Sequence, residues 1–116
     1  MKNPLQEASS TADAAYAIAF DNWRRADGYA LAYDEVTVRA GASYETARIA
    51  SAASPDNASL AVRADAAWDG FHATTYEARA ARKEARAARM EMDIACTARR
   101  VAFIAYTDDA RKGETK

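Results

Sequence analysis

Small residues recur at steps of three and four along most of this chain, and that spacing constrains the fold more than any other feature. One stripe runs through Ala12, Tyr16, Ala19, Trp23, Ala26 and Ala30, then through Tyr33, Thr37, Ala40, Tyr44 and Ala47. A second begins at Leu60 and passes through Ala64, Ala67, Phe71, Thr74 and Ala78, then through Ala81, Ala85, Ala88, Met92 and Ala95. Alternating steps of three and four keep side chains on one face of a helix, so each stripe predicts a long packed helix. Beyond Ala95 the seam is expected to drift to Ala98, Val101 and Ala105.

Composition says what such a seam can be made of. Of 116 residues 32 are alanine, whereas Leu, Ile, Val and Phe together number 14. So few large aliphatics would ordinarily suggest disorder. Two facts argue for order instead: the net charge is only -1, and alanine is the best helix former. Alanine also lets helix backbones approach toward the short end of the roughly 8–10 Å range.

The clearest punctuation is Ser54-Pro55-Asp56-Asn57. Pro55 disfavours helical geometry at Ser54 and ends the first helix. Ser54 and Pro55 are also expected to open the second, as cap and first residue. Asn3 and Pro4 suit a helix start, with Gln6 where a capping box wants it, and Ser10–Asp13 offers a second start. The simplest reading is one all-α domain over 1–116: a helix at about 4–53, a turn at 54–57, a helix at about 56–110 and a frayed tail at 111–116. Each helix would run roughly 70 Å at 1.5 Å per residue. The alternative is a compact bundle of three or more helices, broken at Gly41 with Ser43 capping the restart. Gly28 and Gly70 are weak points of the same kind. If the chain reverses near Pro55, facing residues have numbers summing to about 111, which sets Trp23 opposite Ala88 and Tyr33 opposite Ala78. The sequence EARAARK at 77–83, repeated as EARAARM at 84–90, has coiled-coil spacing.

Two groups of residues are candidates for binding. Arg79, Arg82, Arg86 and Arg89 step by three, four and three, with Lys83 beside them and Glu84 the one acid within 79–89. Such a face can track phosphates or dock on an acidic protein. The plainer reading is a solvated face, paired with Glu77, Glu84 and Glu91 or neutralised by the first 54 residues, which hold seven acids and five bases. The second group is aromatic: Trp23, Tyr29 and Tyr33 in the first half, Trp68 and Tyr76 in the second. A two-helix hairpin cannot enclose all the aromatic rings, and exposed Tyr and Trp are good interface material. Otherwise they fill a compact bundle or a dimer, and two hairpins joined as a four-helix bundle would cover them.

Little else suggests chemistry. His72 is the only histidine. Asp69 three residues before it gives one carboxylate-x-x-His element, where di-metal bundles use a pair. Cys96 reads as a small buried apolar residue. No phosphate-binding glycine loop, metal-ligand pair or nucleophile motif occurs, so neither a cofactor nor catalysis is expected. Asn57-Ala58-Ser59 matches a glycosylation sequon without an export signal beside it. The start of the sequence lacks the apolar stretch of a secretory signal, no apolar run approaches 18 residues, and one cysteine fits a reducing cytoplasm. The Ala, Arg and Asp usage suggests a bacterium or its phage.

These readings favour a non-catalytic helical module that binds another protein and itself. A sharper version is a small inhibitor from a phage or mobile element that blocks a host complex. The third is a nucleic-acid binder using the arginine stripe, with no membrane role in any of them.

Overall fold

The computed structural model describes residues 3–114, the side chain of Glu114 excepted. Two helices account for nearly all of it: α1, Pro4–Ala53, and α2, Ala58–Glu114. Antiparallel and joined by one tight turn, they form a helical hairpin. The alternative of a bundle broken at Gly41 is not adopted, since α1 is continuous through Gly28 and Gly41, and α2 through Gly70. Each glycine costs roughly 1 kcal/mol against alanine in a helix, too little to break a segment whose other residues favour it. Gly41 has a packing reason to be glycine. A β-carbon there would lie 2.8 Å from Cε2 of Phe71.

The helix ends follow from side-chain capping. The Leu5 amide donates to Asn3 Oδ1 at 2.9 Å, and the Glu7 amide closes the first backbone turn onto the Asn3 carbonyl at 3.0 Å. The start offered by Ser10–Asp13 is therefore interior helix. At the reversal, the Asn57 amide bonds the Ser54 carbonyl at 3.0 Å, a β-turn with Pro55 in its second position. The cap of α2 is Asn57, not Ser54: its Oδ1 accepts from the Leu60 amide at 3.2 Å. Ser54 and Pro55 are consumed in making the turn, so the capping role passes to the next residue able to fill it. At the far end α2 carries on through residues 111–114, which the sequence assigns to a tail. Residues 115 and 116 lie outside the described residues.

The hairpin divides into two compact units. Residues 26–84 form the one that contains the turn, and 3–25 with 85–114 form the other.

In the turn-containing unit the seam is made of Ala30, Ala78 and Ala81, exposed by 5%, 0% and 7%. The register is fixed by Thr37, whose hydroxyl lies 2.8 Å from the Tyr33 carbonyl of its own helix and 3.1 Å from the Thr74 carbonyl of the other. Thr37 and Thr74 are a pair summing to 111, the value the sequence requires. Tyr33 departs from the expected stripe: it is exposed, and Asp34 is half-buried instead. A phenol ring does not fit between backbones spaced by alanine, so it leans out over the edge of the seam.

In the other unit Ala85 and Met92 are buried, with Ser9 on α1. Half-buried Tyr16, Ala19 and Trp23 continue the α1 stripe. On α2 the seam does not drift to Ala98 and Val101, both of which are exposed. It keeps its seven-residue repeat through Ala95, Arg99 and Ala102, all half-buried. A strict heptad holds the same face toward its neighbour, and only a change of repeat would turn it away. Cys96, beside this seam, is half-buried and not a core residue.

Candidate protein-interaction surface

Arg79, Arg82, Lys83 and Arg86 have no acidic residue three or four positions away on α2. Counting three and four residues either way from Glu84 gives only Ala80, Ala81, Ala87 and Ala88. Glu77 and Glu91 likewise have no basic residue at these positions, so the three acids form a separate column. Neutralisation comes from elsewhere.

In the turn-containing unit, Arg82 reaches across to α1. Its Nη2 lies 2.7 Å and its Nε 2.9 Å from Asp34 Oδ1. Both groups are partly exposed, so the pair is worth about 0.2–1 kcal/mol and mainly fixes the position of Arg82. The arginines of α1 pair within their own helix, Arg39 with Glu35 at 2.6 Å and Arg48 with Glu45 at 2.5 Å. The hydrogen bond from Arg48 holds the Glu45 carboxyl below its ordinary pKa, and the same bond raises Arg48. Arg79 and Lys83 are exposed and form no ion pair with a described residue.

The aromatic candidates of this unit fall into two kinds. Trp68 belongs to a cluster: its ring centroid is 4.9 Å from that of Tyr44 and 4.0 Å from that of His72, which meets it edge-on, and Phe71 is 6.4 Å away. Tyr44 and Phe71 are near-parallel at 6.4 Å. Tyr29 and Tyr76, by contrast, are 67% and 77% exposed, while Trp68 at 42% and Tyr33 at 36% are only partly so. The cluster was not anticipated from the sequence. The signal was nevertheless present: Trp68, Phe71 and His72 share a helix face, and a sum of 111 sets Tyr44 opposite Ala67, one residue from Trp68.

In the other unit the two groups of candidates meet. The Arg89 guanidinium lies 5.3 Å from the centroid of the half-buried Trp23 ring. Its Nε is 3.5 Å from Asp93 Oδ1. Arg99 stacks in the same way on Tyr16, at 4.1 Å. Contacts of this kind contribute roughly 0.5–1 kcal/mol at exposed sites, and they take the rings out of the pool available to a partner. Arg86 is exposed and forms no ion pair with a described residue.

Internal contacts thus occupy Arg82, Arg89, Trp23 and Trp68. Tyr29, Tyr76, Arg79, Lys83 and Arg86 are left facing solvent. Among the described residues no group of three or more His, Cys, Asp or Glu side chains is placed to hold a metal ion. No described helix is long and apolar enough to cross a membrane. No protein family, curated protein or solved structure matches this chain.

Proposed function

We propose that the protein is a helical interaction module that binds another protein through the outer surface of α2. One observation carries this reading. Tyr76, the most exposed of the large hydrophobic side chains, shares its helix face with Arg79 and Lys83, three and seven residues on, and neither cation forms an ion pair with a described residue. Tyrosine and arginine are the residue types that dominate binding energy at protein interfaces. On a continuous helix they are held in place before binding, which lowers the ordering cost. The free cations suit an acidic partner. Use of Arg82 and Arg89 in internal contacts shortens the basic track that a nucleic-acid backbone would need.

The test is affinity capture with the wild-type chain and with Tyr76→Ala/Arg79→Glu/Lys83→Glu. A protein recovered in stoichiometric amount by the first and lost by the second is the expected result. Identical recovery by both overturns the assignment of the surface. A salt-sensitive duplex DNA complex abolished by the same changes would favour the nucleic-acid reading instead.

A further inference from the structure

α2 carries a second apolar stripe. Met90, Ile94, Val101 and Ile104 are 66%, 67%, 62% and 50% exposed. With Thr97 between them they step by four, three, four and three, the repeat of the seam itself but on the outward side of the helix. A helix needs one such stripe to pack on one neighbour, and a second stripe calls for a second neighbour. On α1 in the same unit, the outward surface carries an ion pair, Arg25 with Asp21 at 2.9 Å. Of the described residues of α1 in this unit, Ile18 and Phe20 are the exposed large apolar side chains, against five on α2 from Met90 to Ile104, so most of the unmet apolar surface lies on α2.

We infer that this stripe is the contact between two copies of the chain, packed antiparallel through residues 90–104 of α2. The charges beside the stripe select this occupant and its direction. Asp93 and Arg100 are seven residues apart on one flank, so both point toward whatever covers the stripe. An antiparallel copy related by a two-fold axis near residue 96 sets Met90 against the partner's Val101 and Ile94 against the partner's Thr97. In the same register each Asp93 meets the partner's Arg100, twice by symmetry. The other flank holds Glu91, which falls opposite the partner's alanines, so no like charges meet. A parallel copy gives Arg100 no acid, because it then faces the alanine-lined flank. Asp93 is loosely held in the single chain, 3.5 Å from Arg89, and is available for such a contact.

The stripe shares no residue with Tyr76, Arg79 and Lys83, and its test reads self-association, which the capture experiment above does not. Sedimentation velocity on the full chain, from about 5 to about 300 µM, spans the weak range expected of so small an interface. The expected result is a concentration-dependent rise from 12.6 kDa toward twice that mass. Ile94→Lys should weaken association more than about tenfold, with helicity unchanged by circular dichroism. Asp93→Arg and Arg100→Asp should each weaken it by about three- to tenfold, and the double exchange should restore it to within about twofold. Tyr76→Ala should leave it unchanged. A monomer throughout the range overturns the inference. So does association that survives Ile94→Lys, that is lost with Tyr76→Ala, or that is not restored by the double exchange.

Discussion

The ring of Phe71 fills the place that a side chain on Gly41 would take, with Cε2 2.8 Å from where the β-carbon would stand. This glycine is therefore a packing residue, whereas Gly28 and Gly70 have nothing within 4 Å of theirs. Gly28→Ala and Gly70→Ala should each stabilise the fold by about 0.5–1 kcal/mol, through helix propensity and a stiffer unfolded chain. Gly41→Ala should destabilise it, since displacing a packed ring costs about 1–3 kcal/mol and exceeds the same gain. Urea unfolding of the three variants checks the contrast, and Phe71→Leu added to Gly41→Ala should recover part of the loss.

Ala78 is fully buried, opposite Tyr33 in the register fixed by Thr37 and Thr74. A larger side chain has no space there without parting the helices. Ala78→Leu should cost about 1–3 kcal/mol or more, despite adding apolar area. Ala80→Leu, on the exposed side of the same turn, should change stability by less than about 0.5 kcal/mol. Thermal unfolding of the pair measures how far the seam depends on small size and not on hydrophobicity alone.

Asn57 caps α2 and Ser54 does not. Asn57→Ala should lose about 1 kcal/mol, the usual effect of removing a helix cap. Ser54→Ala should fall within about 0.5 kcal/mol of wild type, because the hydrogen bonds made by Ser54 are through its backbone amide and carbonyl. Equal losses from the two variants would be inconsistent with the cap assignment.

Glu45 gives the pH dependence a defined sign. Its pKa is lowered by the hydrogen bond from Arg48, with a smaller coulombic contribution from the same residue that acts alongside it. A carboxyl depressed in the folded state contributes stability that is present above its unfolded pKa. That contribution is lost as pH falls through the folded value. Carbon-detected NMR titration should show the Glu45 midpoint below that of an unperturbed glutamate, and Arg48→Met should return it to the ordinary range.

The two helices, their reversal at residues 54–57 and the sum of 111 are legible in the sequence alone. The reason is that local rules suffice for them. Alanine favours helix wherever it stands, Pro55 interrupts it, and steps of three and four mark the packed face. Even the acids that fail to pair along α2 could be counted out from spacing, since every position three or four residues from Glu84 is alanine.

Side-chain destinations are another matter, because they depend on what the second helix presents. Spacing puts Arg79, Arg82, Arg86 and Arg89 on one face, yet only contact across the hairpin sends Arg82 to Asp34 and lays Arg89 over Trp23. Tyr33 fits the α1 stripe by its number and leaves it because alanine holds the backbones too close for its ring. Gly41 reads as a break until Phe71 is seen against it. Periodicity along a chain is a one-dimensional property and fixes which face packs. How near two faces come is decided by the sizes of the residues that meet there, and they meet only once the hairpin has closed.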